Sequence, residues 1–330
     1  MVRRVFSNCC KVMLAAGIVA TSLYAANPKT ILKLGETHPK GYPTELADEE
    51  FARLVGEYSK GNIKVEVYPG SQLGEEKAVI EQVQLGAIAM TRVSTGAVSA
   101  FHKPLGVFSL PYVFDNKEHM WNFLNGPDGK AMLDALAKSR FIGLCYYDAG
   151  ARSFYSSKPL TKLEDLKGQK IRGMPSPYLL KTIEAFGASS TPMPMGQIFG
   201  SLQSKIIDGA ENNAPSYYSW NHHQAAKYYL LDYHLRIPEV LMISKVVWDK
   251  LSKDDQAIIR KAADESVKKQ RELWDAEETR DLEKVKADGA IVTEVTDFAP
   301  YKAAVKPLMD EAAKEYGDVL KAIDNARIIK

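Results

Sequence analysis

Three arginines stand where strands are expected to end: Arg92 in "MTRVS", Arg152 in "DAGARSFY" and Arg172 in "KIRGMPS". The last is the most demanding. A short apolar strand that stops at Gly173 and two prolines places a guanidinium beside Ile171, and a charge there needs a partner. Arginine suits a carboxylate because its planar fork donates two parallel charge-assisted hydrogen bonds and stays charged when buried. An internal ion pair with Asp148 or Glu211 would account equally well for any one of the three. Downstream, "DGAENNAPSYYSW" sets Asn212 and Asn213 after a turn, and amides both donate to and accept from hydroxyl groups. Tyr217, Tyr218 and Trp220 offer flat faces to a sugar ring or simply pack a core. Glu75 and Glu76 open a helix, where carboxylates favour the positive end of the dipole, and Glu76 could instead serve a polar site. Together these residues point to a small, acidic, hydroxylated ligand.

The surrounding elements must bring those residues to one edge. "TILKLGETHP" reads as a strand entering a loop, Leu46, Phe51, Leu54, Val55 and Tyr58 recur at helical spacing, and "IKVEVYP" alternates as a strand. A helix over "EEKAVIEQVQL" ends at Gly86, and "AIAMTRV" follows as a strand. With "FIGLCYYD", "QKIRG" and the helices "YLLKTIEAFG" and "QIFGSLQSKI", the order predicts an α/β fold whose helices serve as crossovers. In such sheets ligands collect outside the carboxyl ends of strands. From about Asp254 to Asp288 the chain lacks proline and interior glycine and is dense in Glu, Lys, Arg and Ala, which predicts one long helix with a solvated charged face. "AIVTEV" and an amphipathic helix close the chain.

With 45% hydrophobic and 25% charged residues over 330 positions, the chain has material for one large domain or two ordinary ones. "MVRR", Lys11, the apolar run "VMLAAGIVATSLYA" and the small residue Ala25 predict a signal peptide over 1–25 and export to the periplasm. Its removal would take away Arg3, Arg4 and Lys11 and no acid, moving the formal charge from +2 to −1. So even a balance speaks against nucleic acid, which calls for a concentrated basic surface. Cys9 and Cys10 would leave with the leader, and Cys145, in "FIGLCYY", is expected in the core. Neither a zincin helix, a nucleophile elbow nor a phosphate or dinucleotide loop occurs. His222 and His223 are neighbours that cannot easily share a metal, and are expected at the surface or in packing. No catalytic residue, metal or cofactor is required by what is present.

In order and spacing, "YPGSQLGEEKAVIEQVQLGAIAM", "LPYVF", "LKGQKIRGMPS", "GASSTPMPMGQIFGSLQSKIIDGAENN" and "LSKDDQAIIRKAADES" resemble the solute-binding proteins of TRAP transporters, of the DctP type. The resemblance covers the whole chain after the leader. It implies a two-lobed periplasmic binding protein fold with a long inter-lobe helix, closing on an organic acid that is delivered to a membrane permease. The lobes implied are 26–149 plus about 238–277, and about 150–237 plus 278–330. By motif, Arg172 would clamp the ligand carboxylate, Arg152 would be the second arginine, Asn212 the asparagine after the "DG.EN" turn, and Glu76 the acid after "SQLG". Met195 falls at an apolar wall and Met174 lies two residues beyond the clamp.

"ETHPKGYPT", "MTRVS", "YDAGARSFY" and "AENNAPSYYSW" further resemble a subgroup associated with hexuronates such as glucuronate and galacturonate. A uronate would offer its carboxylate to Arg172 and its hydroxyls to Glu76, Asn212, Asn213 and His38, whereas Glu76 would repel a dicarboxylate. Arg92 would pair with Glu76 or reach a hydroxyl, and His38 could instead order the loop before Pro39. Ala214 departs from the bulkier aromatic common in the subgroup. Rival readings are another organic acid (aldonate, diketogulonate, C4-dicarboxylate or keto acid), an exported sugar-acid lyase or hydrolase, and a sensory binding protein. A monomer is the expected state.

Overall fold

A computed structural model describes residues 28–327. The expected leader, with Cys9 and Cys10, lies outside the described residues. Eleven strands occur among them: β1 (Thr30–Glu36), β2 (Ile63–Tyr68), β3 (Met90–Ser94), β4 (Phe141–Tyr147), β5 (Arg152–Ser156), β6 (Lys170–Gly173), β7 (Ser189–Pro192), β8 (Gly209–Asn212), β9 (Tyr228–Leu235), β10 (Glu239–Ser244) and β11 (Ile291–Glu294). They form two sheets, ordered β2-β1-β3-β10-β4 and β11-β9-β5-β8-β6-β7. The fold is the expected two-lobed α/β arrangement, with one addition. Each sheet is parallel except for one strand, β10 in the first and β5 in the second. Those two are the strands by which the chain arrives after crossing between sheets, at residues 148–151 and 236–238.

Alternation explains why each sheet is covered on both faces. In β10, Leu241 and Ile243 face a cluster with Phe51, Val55 and Ile259, while Val240 and Met242 join Val93, Phe108 and Phe141 on the other side. In β5, Phe154 packs with Leu179 and Ile183, and Tyr155 with Ile198 and Tyr217. Each such large apolar side chain taken from water contributes about 1.5–3 kcal/mol. Cys145 lies in the first of these clusters, where burial drives its thiol pKa up.

The long helix runs over Lys253–Ala287. Ser252 accepts from the Asp255 amide at 3.1 Å to start it, acids occupy its first turn, and Lys284 and Lys286 its last, as the dipole favours. At 1.5 Å per residue its 35 residues reach roughly 50 Å. That length lets Ile259, Ala262 and Ala263 enter the core of the first sheet and Val285 that of the second. Midway, the Gln270 amide clasps the first crossing, accepting from Asp148 N at 2.8 Å and donating to Asp148 O at 2.9 Å. The final helix, Ala299–Asn325, touches both lobes: Tyr301 packs on Phe186, whereas the Tyr316 hydroxyl donates to Lys103 O and His119 Nε2 to Ile323 O.

His222 and His223 are packing residues and are not at the surface. His222 is fully buried with Nδ1 2.6 Å from the Tyr155 hydroxyl, and His223 lies 3.2 Å from Asp288. Among the described residues, no helix is long and apolar enough to cross a membrane, and no three His, Cys, Asp or Glu side chains gather as a metal site.

Candidate functional site

Parallel strands of both sheets end on the same cleft, and the two antiparallel strands begin there. Thus Thr37 and His38 follow β1, Ser94 closes β3, Ala149 follows β4, Arg172 and Met174 come from β6, and Asn212 and Asn213 from the end of β8. Arg152 and Glu239 are the first residues of β5 and β10. These residues, with Tyr42, Thr44, Glu76, Met195 and Trp274, line one cavity between the two sheets. Eight of the nine residues singled out from the sequence are therefore brought together: Arg172, Arg152, Asn212, Asn213, Glu76, His38, Met174 and Met195.

Arg92 is the exception. It is fully buried behind the wall, and its partner is not Glu76. Nε donates to Glu36 Oε2 at 2.6 Å and Nη1 to Glu239 Oε2 at 2.6 Å. The reason is strand order: Glu36 lies directly opposite Arg92 in the β1–β3 register, and Glu239 faces Ser94, two residues on. The carboxylate of Glu76 instead accepts from the Ser94 amide at 3.0 Å, and Glu75, at the helix N-cap, makes no side-chain capping bond. Glu76 stands in the first turn, where the dipole favours an acid, but neither acid closes the helix end with a side-chain bond. Burial, reinforced by the charge of Glu239, pushes the Glu76 carboxyl up to about 7.

The other two arginines divide their work. Arg152 is held by Glu211 through Nε and Nη2, at 2.5 and 2.8 Å, and Nη1 donates to Asn212 Oδ1 at 2.8 Å. It is the internal ion pair that the sequence allowed. Arg172 is buried as well, but among the described residues its one hydrogen bond runs from Nε to Met193 O at 2.9 Å. Glu211 lies 3.8 Å from its Nη1, beyond hydrogen-bond reach and already engaged by Arg152. Burial lowers the Arg172 pKa from its usual value, yet guanidinium remains the charged form in proteins.

His38 stacks on Tyr42 with ring centroids 3.9 Å apart and planes 5° from parallel. Burial depresses its pKa to about 4, so the imidazole is neutral. His38 Nδ1 lies 2.7 Å from Arg92 Nη2, which can only donate, and 3.0 Å from Glu36 Oε1, which can only accept. The His38 backbone amide donates to Glu36 Oε1 at 2.6 Å and ties down the loop after β1. The Tyr42 hydroxyl bridges the lobes, 2.8 Å from Ser216 Oγ and 3.3 Å from Asn213 Oδ1. Trp274, from the long helix, closes the wall behind Tyr42. Ala214 is buried in an apolar cluster and is not part of the cavity wall.

Glu36, Glu239, Tyr42 and Trp274 were missed from the sequence. For the two acids a signal existed: each is a charged residue at a strand end, in "KLGETH" and "RIPEVLM", the criterion that found the arginines. Trp274 and Tyr42 had none, because long-helix and loop aromatics read as core.

The resulting cavity has carboxylates on one wall, Glu76 and Glu239, and guanidiniums on the other, Arg152 and Arg172. Comparisons with known proteins identify the family. Residues 34–315 match the family described as bacterial extracellular solute-binding protein, family 7. A TRAP periplasmic solute-binding protein of Xanthobacter autotrophicus Py2 with bound β-D-galacturonate is 42% identical, over 90% of this chain and 100% of that one, with a TM-score of 0.87. Its counterpart from Pseudomonas putida F1 with bound D-glucuronate is 39% identical, over 91% and 98%, with a TM-score of 0.88. A third, from Polaromonas sp. JS666 bound to D-erythronate, is 31% identical, over 91% and 99%, with a TM-score of 0.87. This chain belongs to the bacterial extracellular solute-binding proteins of family 7, the DctP family of periplasmic TRAP transport proteins.

Proposed function

We propose that this protein captures a hexuronate, D-glucuronate or D-galacturonate, between its lobes and hands it to a TRAP permease without covalent chemistry. The observation that carries the reading is Arg172: a buried guanidinium with one hydrogen bond, whose nearby carboxylate, Glu211 at 3.8 Å, is already held by Arg152, facing a cavity whose opposite wall is acidic. A ligand with a carboxylate at one end and hydroxyls around the rest fits that polarity. Its carboxylate pairs with Arg172, with Arg152 and Asn212 alongside, and its hydroxyls donate to Glu76 and Glu239 and exchange hydrogen bonds with Asn213 and His38. A second carboxylate against Glu76 and Glu239 is disfavoured. The galacturonate-bound and glucuronate-bound relatives support this choice.

Closure follows from the same contacts, which come from both lobes and are complete only when the cleft is shut. The lobes divide near 149 and 238 and again near 277, with the two strand crossings and the long helix as hinges. Export through residues 1–25 brings the protein to its ligand.

Thermal shift followed by titration calorimetry of the protein lacking residues 1–25 tests the reading. D-Glucuronate or D-galacturonate should raise the melting temperature, as any ligand of the folded state alone does, and succinate should not. Arg172→Ala should weaken uronate binding by roughly 2–5 kcal/mol, the cost of leaving a buried ligand charge unpaired; an unchanged affinity would remove the clamp. The second reading is an aldonate, favoured by the erythronate-bound relative. A response to D-erythronate and none to either uronate would select it.

A further inference from the structure

Beneath the ligand wall, four neighbouring strands of the second sheet carry a row of buried charges: Asp232 and His234 on β9, Arg152 on β5, Glu211 on β8 and Arg172 on β6. His234 is fully buried, with Nδ1 3.0 Å from Asp232 Oδ2. Its Nε2 has no hydrogen-bond partner and lies 3.8 Å from Glu211 Oε2, the carboxylate that holds Arg152. The backbone is specially shaped at this point. The β5–β9 register shifts between Arg152 and Phe154, and Tyr233 sits at φ 46°, a conformation that costs a residue with a side chain. Its amide donates to Ser153 Oγ at 3.0 Å, while Phe154 N donates to Asp232 Oδ1. Bulges of this kind re-aim side chains beside functional sites.

We infer that His234, paired with Asp232 beside Glu211, is a positioning residue that completes the charge balance of Glu211 and Arg152 and so leaves Arg172 free for the ligand carboxylate. The inference rests on the clamp reading of Arg172. With His234 charged, Asp232 pairs with His234, Glu211 pairs with Arg152, and one positive charge remains. A neutral His234 leaves Asp232 uncompensated and brings the row to zero, which weakens the positive field that draws the ligand's negative charge to Arg172. Burial alone would drive the imidazolium pKa down, but Asp232 and Glu211 outweigh it and hold it up to about 9. Likewise burial would raise Glu211, and Arg152 and His234 bring it down to about 2. The rings packed on His234 are Phe154 and Phe186, both uncharged. Tyr112 and Tyr301 act on the Asp232 side, and burial raises both phenols far above neutral pH.

The test is calorimetric titration of D-glucuronate into the wild type, His234→Gln and the double variant Asp232→Asn/His234→Gln, at pH 7 and across pH 7–10. His234→Gln should bind about tenfold more weakly, within the usual span of coupling between neighbouring groups. The double variant, which also removes the orphaned negative charge, should regain most of that loss; a merely structural histidine would not be rescued by a second buried substitution. Wild-type affinity should fall as pH rises through about 9, and the variants should not share the fall. Equal affinities for wild type and His234→Gln, or a wild-type affinity flat to pH 10, would overturn the inference, the latter with no variant needed. Should the wild type bind no glucuronate, the hexuronate reading alone fails, and the same series is read with D-erythronate or succinate, whose carboxylate also needs Arg172.

Discussion

Glu76 offers the sharpest test of how the cavity wall is built. Its carboxyl rises from 4.5 to about 7, first through burial and then through the charge of Glu239. At about 1.4 kcal/mol per unit, the ionised form costs the folded state about 3.5 kcal/mol, and closer to 2 kcal/mol once screening at its solvent-touching edge is allowed for. The folded pKa lies above the unfolded one, so as pH rises the unfolded chain loses its proton first. Stability therefore declines between pH 4.5 and 7 and stays lowered above that window. Glu76→Gln has no proton to lose and keeps an oxygen for the Ser94 amide. Urea denaturation of both proteins without ligand, at pH 4.5 and pH 8, should show the variant gaining about 2 kcal/mol on the wild type over that interval. Stability curves that run parallel from pH 4.5 to 8 would refute the reasoning.

The same substitution should relax ligand choice: succinate should bind Glu76→Gln more tightly than wild type, read by calorimetry, because a repelling charge has gone. Tyr42→Phe removes the hydroxyl that bridges to Ser216 and Asn213 and should weaken uronate binding by about 1 kcal/mol, the worth of one hydrogen bond; an unaltered affinity would mean that this contact does not hold the lobes together. Gly150, at φ 61° on the first crossing, has the Glu278 carboxylate and Trp274 Nε1 where a Cβ would go. Gly150→Ala should cost more than the roughly 1–2 kcal/mol of the left-handed backbone alone, measured by denaturation. For His234 the pKa is raised from 6.5 to about 9, so its contribution to stability is complete below pH 6.5 and lost as pH rises through 9, a decline that His234→Gln should lack.

Much of the binding face was legible because strand ends are legible. Arg152, Arg172, Asn212 and Asn213 announce themselves as polar residues at the edges of apolar runs, and Glu76 and His38 join them by motif. The long helix was equally plain, since 35 residues without proline or interior glycine have little else to become. Sequence alone therefore determined the fold class and the arginines and amides that gather at the cleft. Only the tertiary structure decided which charge pairs with which. Arg92 faces Glu36 and Glu239 because β1 and β10 flank β3; Glu211 goes to Arg152 and away from Arg172; and β10 and β5 run against their neighbours. Those partners lie 56, 147 and 59 positions apart along the chain. Local propensity acts over a turn or a strand, while electrostatic pairing acts over a few ångströms of space, and strand order alone converts one into the other.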